Sequence, residues 1–192
     1  GVLGAFVGDS VEAAVTARLL GLERVASPVA TGDEGSDLNS TGRYAVGALD
    51  RYGLVVVYVA GAAEAAARGD WQARMRRIEA ADAHVVGPLL SRLETFSDDS
   101  RDDARGWRML VVADRALDAT GEVEPSPFAL AGAWVRGLRT LRADERGARE
   151  SDLFVDRGFD LLEYTLRAGL KRTTIVARPH RASPTRRAGH HG

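Results

Sequence analysis

Asp114 is the first residue to weigh for chemistry. It closes the run Arg108-Met-Leu-Val-Val-Ala-Asp114, so a carboxylate stands where a buried strand is expected to end, and there it can serve as a ligand to a divalent cation. Arg115 follows directly, and a carboxylate that caps a turn or pairs with that arginine is the plainer reading. Thr31-Gly32-Asp33 offers a second kind of chemistry, backbone N–H groups turned onto a phosphate oxygen, against an ordinary glycine turn after a strand. Glu64, Asp118 and Glu122 are acids that a fold could gather around one ion, although nothing in their spacing demands it. His84 lies beside an apolar stripe, where a structural role is the default, and His180, His190 and His191 fall in a basic tail.

Composition narrows the classes. The chain has 192 residues, enough for one domain of ordinary size with a substantial core, and a net charge of −1 creates no field toward nucleic acid or membrane. It has no cysteine, which excludes disulfides and thiolate metal sites and suits a cytoplasmic setting. No apolar run approaches the ~20 residues that span a bilayer. Lys171 is the only lysine, and the abundance of Ala, Gly, Val and Arg reads as a GC-rich coding bias. The chain opens on Gly1 rather than Met, directly in an apolar run, as a fragment, a processed product or a recombinant piece would.

The run Leu54-Val-Val-Val-Tyr-Val59 is short, apolar and β-branched, the pattern of a strand covered on both faces in a parallel sheet. The Gly- and Ala-rich stretch from Ala60 to Asp70 is expected to be a loop walling the crevice beyond the strand ends, where ligands bind in open α/β sheets. That wall carries one acid, Glu64, and one base, Arg68, before Asp70. Ahead of it, Val2 to Val7 predicts an opening strand. Asp9-Ser10 caps a helix with Val11, Ala14, Val15, Ala17, Leu19 and Leu20 on its buried face and Gly21 as its stop. Arg24 to Ala30 reads as extended, 31–37 as a polar loop, and about Ser40 to Arg51 as a second helix.

Trp71 to Leu93 is the strongest helical signal, with Met75, Ile78, Ala81, Val85, Leu89 and Leu93 recurring on one face, and Gly87-Pro88 must kink or divide it. The charged stretch 97–106 reads as a surface loop. Strand, helix and strand between Leu54 and Asp114 predict a right-handed βαβ crossover. Pro125-Ser-Pro127 precedes the apolar run Phe128 to Val135, and a helix is expected from about Arg157 through Leu161, Leu162, Tyr164 and Leu166. The alternation of elements predicts an α/β fold of three layers, a mostly parallel sheet flanked by helices, over 1–170, with a basic, disordered tail over 171–192.

Ala30-Thr31-Gly32, Gly42-Arg43, Leu54 to Val59, Gly69-Asp70, Arg77-Ile-Glu79, Val85-Val-Gly-Pro-Leu-Leu90, Leu110-Val-Val112 with Asp114, Pro125-Ser-Pro-Phe128 and Leu153-Phe-Val155 occur in an order that resembles a known family. It is the metal-binding, carboxyl-terminal half of the archaeal-type, cofactor-independent phosphoglycerate mutases of the alkaline phosphatase superfamily. The resemblance implies an alkaline-phosphatase-like fold, two divalent metals (Mn, Mg or Zn), a transiently phosphorylated serine, and interconversion of 2- and 3-phosphoglycerate.

The resemblance also implies that the metal centre is dismantled. The family's ligand Asp and His after the central strand fall on Ala63 and Ala67, and its later Asp-His pair reads Asp114-Arg115. Asp114 is then the one residual metal ligand, with Thr31 and Gly32 as residual substrate contacts. Alanine has no lone pair to give and arginine repels a dication. The expectation is a catalytically impaired enzyme that meets a phosphorylated small metabolite and neither nucleic acid nor membrane. The alternative is a non-catalytic binding or regulatory module, or a subunit in which a partner, an upstream segment or self-association covers the truncated sheet.

Overall fold

The computed structural model describes residues 3–25, 31, 33–96, 106–113, 116–117, 123–124, 128–132 and 158–167. The chain divides into two compact units, Gly1–Asp99 and Ser100–Gly192.

The first unit runs β1 (Gly4–Gly8), α1 (Val11–Leu19), β2 (Glu23–Arg24), α2 (Glu34–Ala48), β3 (Leu54–Tyr58), α3 (Gly61–Ala67), α4 (Trp71–Ala81), a π-helical turn (Asp82–Val86) and α5 (Gly87–Glu94). Its sheet is wholly parallel, in the order β2-β1-β3, with Ala5 opposite both Glu23 and Val55 and Gly8 opposite Tyr58. The α/β class is therefore met in this unit. The doubly covered strand is β1, not the run at Leu54. Ala5, Phe6 and Val7 are buried, whereas β3 has one paired edge among the described residues and leaves Val56 37% exposed. A short apolar run reports that a strand is buried, but not which neighbour covers it.

Side chains on β1 alternate between two small cores. Ala5 packs with Ala48 and Tyr52 of the α2 side, and Phe6 packs with Ala14 and Ala17 of α1. Ser10 caps α1 as expected, its hydroxyl accepting from the Ala13 amide at 3.2 Å. Gly21, at φ +81°, ends the helix in a Schellman turn closed by Leu22 N–H to Ala17 O and Gly21 N–H to Arg18 O. The buried face of α1 is narrower than its pattern predicts. Only the alanines face the sheet, because their size lets the helix sit close to Phe6, and Val11, Val15 and Leu19 stay 67%, 56% and 83% exposed.

Two helices differ in extent from expectation. Helix α2 begins at Glu34 rather than Ser40, taking in part of the expected polar loop. The stretch 61–67, expected as a loop, is the helix α3, because alanine is the strongest helix former and dominates Gly61-Ala-Ala-Glu-Ala-Ala-Ala67. Gly69 (φ +71°) stops α3 in a second Schellman turn, and the Asp70 carboxylate accepts from the Ala73 amide at 2.8 Å to start α4.

The expected break at Gly87-Pro88 takes a specific form. Pro88 has no N–H for the carbonyl of His84, four residues back, and the chain inserts a π-helical turn in which the Gly87 amide donates to Asp82 O. The His84 carbonyl lies against Gly42 of α2, where any Cβ would overlap it. The apolar stripe is buried only from this turn onward, at Val85, Leu89 and Leu93, while Met75 and Ile78 on α4 are exposed.

Tyr52 is buried, and the Glu23 carboxylate accepting its hydroxyl proton raises its pKa above the usual value near 10. A raised phenol pKa means the fold prefers the neutral form. The contact's contribution is therefore complete below about pH 10 and is lost as pH climbs through the folded value. Between pH 8 and 11 the melting temperature is expected to fall more in the parent protein than in Tyr52→Phe, measured by circular dichroism.

The second unit comprises β4 (Arg108–Val112), β5 (Ala116–Leu117), β6 (Val123–Glu124), β7 (Phe128–Gly132) and α6 (Gly158–Arg167). β4 pairs antiparallel with β7 and β5 with β6, in registers symmetric about position 120, so the four strands read as one long interrupted hairpin. This replaces the expected βαβ crossover: among the described residues β4 does not pair with β3. β5 and β6, only five residues apart, pair as a hairpin, and β4 continues that register with β7, a neighbour from later in the chain.

The Arg108 guanidinium donates to the carbonyls of Thr165 (3.2 Å) and Leu166 (3.0 Å), satisfying acceptors in the last turn of α6. Arg108→Met is expected to cost about 2 kcal/mol and to speed amide exchange in α6, read by hydrogen-exchange mass spectrometry. The expected tail, 171–192, lies outside the described residues.

Candidate functional site

In a parallel sheet the strands deliver their following loops to one end, and that end is the place to look for a ligand. Here β1 delivers Asp9 and Ser10, and β3 delivers Ala60 and Gly61. The Ser10 hydroxyl is already committed, since it caps α1 and donates to Glu12 at 3.0 Å. The Glu12 backbone amide and the Ser10 hydroxyl together hold the Glu12 carboxyl below its ordinary range. At the start of α3 the Arg77 guanidinium lies directly against Gly61, occupying the space a side chain there would need. Arg77 belongs to α4, so the helical turn at Gly69-Asp70 brings it back over the end of β3.

Thr31 stands just ahead of α2. Its amide donates to Asp37 Oδ1 at 2.8 Å and its hydroxyl to the same oxygen at 2.7 Å, while the Asp33 amide donates to the Thr31 hydroxyl at 3.3 Å. The donors read from the sequence as a phosphate contact therefore hold the Asp37 carboxylate, itself favoured in the first turn of α2 by the helix dipole. An incoming phosphate oxygen at Thr31 would have to displace Asp37. Asp37→Ala is expected to destabilise the first unit by about 1 kcal/mol, visible as a lower denaturant midpoint at unchanged slope.

Gly32 and Asp114 lie outside the described residues, as do Arg115, Asp118 and Glu122. Glu64 is exposed on α3, and Ala63 and Ala67 are exposed on the same helix, four residues apart. Among the described residues no three His, Cys, Asp or Glu side chains gather where they could hold a metal ion. Ala63 and Ala67, where the resemblance implies two ligands of a two-metal centre, offer that centre only methyl groups.

A feature missed from the sequence is a cleft of about 390 Å³ beside β2. It is lined by Arg24, Arg43 and Arg51 together with Glu23, Tyr44 and Gly47. The available signal was the four-residue spacing of Arg43 and Gly47, which puts both on one side of α2, with Arg51 in the turn just beyond its end.

These features define an α/β domain whose small parallel sheet has helices on both faces and a helical hairpin closing the crevice end. Among curated proteins, the chain is 34% identical over 146 residues to 2,3-bisphosphoglycerate-independent phosphoglycerate mutase 2 of Methanothermobacter thermautotrophicus, a span covering 74% of this chain and 34% of that protein. It is 30% identical over 169 residues to the 2,3-bisphosphoglycerate-independent phosphoglycerate mutase of Methanoculleus marisnigri, covering 86% of this chain and 38% of the relative. A probable enzyme of the same name from Geobacter sulfurreducens is 30% identical over 136 residues, covering 68% of this chain and 32% of that protein. The chain belongs to the 2,3-bisphosphoglycerate-independent phosphoglycerate mutase family. It spans about a third of the length of these relatives. No family model and no solved structure matches it. Among the described residues no helix is long and apolar enough to cross a membrane.

Proposed function

We propose that this chain is a phosphoglycerate-mutase-like domain whose metal-dependent phosphoryl transfer is impaired at the metal centre. The reading takes the β2-β1-β3 sheet as part of an alkaline-phosphatase-like architecture and a cytoplasmic setting for the protein. In this family reaction, divalent metals would activate the nucleophile and neutralise the phosphoryl oxygens. The observation that carries the proposal is α3, a helix stopped at Gly69 that presents Ala63 and Ala67 where the resemblance implies Asp and His. An alanine side chain can neither bind a cation nor hold a proton, so alanines at these two positions of an ordered helix support weak metal affinity there. Asp114, Thr31 and Gly32 remain in the proposal as the residual ligand and substrate contacts.

Isothermal titration of the full chain with Mn²⁺ and Zn²⁺, beside an assay for interconversion of 2- and 3-phosphoglycerate, tests it. No tight uptake and no turnover are expected. Two tightly bound ions per chain would sink the proposal.

A second reading, a subunit completed by a partner, is favoured by exposed apolar stripes on α1 (Val11, Val15, Leu19) and on α4 (Trp71, Met75, Ile78). Size-exclusion chromatography with light scattering separates the two readings. A well-behaved monomer at high concentration favours the first.

A further inference from the structure

We propose that the cleft between β2 and the carboxyl half of α2 binds a small phosphate-bearing anion. Arg24 enters it from β2, Arg43 from α2, and Arg51 from the turn that follows α2. Between Arg43 and Arg51 in the chain lies Gly47, where even a Cβ would meet nothing within 4 Å, so the floor there is open. Ala48 and Val25 form the apolar base, and Tyr44 stands at the rim. The volume, about 390 Å³, is that of a small-molecule site.

The charge in the cleft is not internally neutralised. Its one acid, Glu23, is turned onto the Tyr52 hydroxyl, and Arg51 sits over the Tyr52 ring at 5.4 Å. Neither Arg24 nor Arg43 forms an ion pair with a described residue, in contrast to Arg92, which is paired with Asp50. A guanidinium presents a planar fork of N–H donors that matches phosphate oxygens in pairs and gives up its hydration more readily than an ammonium group. Three such groups lining one cleft, from β2, α2 and the turn after α2, favour a compact anion with several oxygens. Inorganic phosphate and a phosphorylated carboxylic acid share that chemistry. The inference stands on the cleft alone and does not depend on the metal centre.

The test is calorimetric titration of the full chain with inorganic phosphate and, separately, with 3-phosphoglycerate, at fixed ionic strength. Saturable one-to-one binding is expected, weakened at least tenfold in the double variant Arg24→Gln/Arg43→Gln. These side chains are exposed, so that variant is expected to keep the parent circular dichroism spectrum. Equal affinity for the two probes identifies free phosphate as the ligand, and tighter binding of 3-phosphoglycerate identifies the phosphorylated acid; either result supports the site. A control, Arg186→Gln/Arg187→Gln, is expected to bind like the parent. The proposal is overturned if neither probe saturates, if the cleft variant binds as well as the parent, or if the control loses the binding instead.

Discussion

Gly42→Val is expected to destabilise the first unit by about 3 kcal/mol or more, read as a fall in the denaturant midpoint and early loss of helical signal. Gly42 is buried on α2, and the backbone carbonyl of His84 occupies the space its side chain would need. A backbone oxygen cannot rotate aside as a flexible side chain can, so the two helical segments must separate, and overpacking of that kind costs about 1–3 kcal/mol even where some relaxation is open. Separation also withdraws Val85, buried within the π-helical turn, and Leu89 and Leu93, buried on α5. Gly47→Ala is the matched control. It sits on the same helix with nothing near its Cβ and is expected to be neutral or slightly stabilising, because alanine is the better helix former. Equal losses in the two variants would show that α2 does not pack on the π-helical turn as described.

The second large effect concerns α3. Ala63→Asp/Ala67→His is expected to bind Zn²⁺ about a hundredfold more tightly than the parent chain, a gain of roughly 2.7 kcal/mol. Residues four apart share a helix face, so the two new donors can reach one ion together. Both positions are exposed, so the substitutions leave the packing of Gly61 and Ala65 beneath them undisturbed. Titration with the metal chelated and then released gives the affinity, and the circular dichroism spectrum confirms an unchanged fold. If the double variant gains nothing over the parent, α3 does not present these positions as the family resemblance implies, and the proposed route to impairment fails with it.

The family was legible in the linear chain because its marks are local. Gly42-Arg43, Gly69-Asp70 and Val85-Val-Gly-Pro-Leu-Leu90 could be read in order without knowing what they do. The structure gives two of them a joint purpose: Pro88 breaks the helix so that the His84 carbonyl meets Gly42. Gly69-Asp70, which resembled part of an active-site loop, instead ends one helix and starts the next. Of the candidate site, Thr31 was recognised as a donor-rich position, but its engagement with Asp37, six residues on, depends on where α2 begins. The arginine cleft was missed because its three cations come from β2, α2 and the turn after α2, which only the fold brings to one cleft.

What the sequence by itself determined is the α/β class, the cap at Ser10, the stop at Gly21 and the break at Pro88. Each depends on a residue's own chemistry or on neighbours within a turn. Only the tertiary structure decided that β1 rather than β3 is the covered strand, that β4 turns back on β7, and that α1 shows its valines to solvent while burying its alanines. Those outcomes rest on which distant surfaces meet. Apolar patterning creates the need for burial, but side-chain size and chain connectivity choose the partner that meets it.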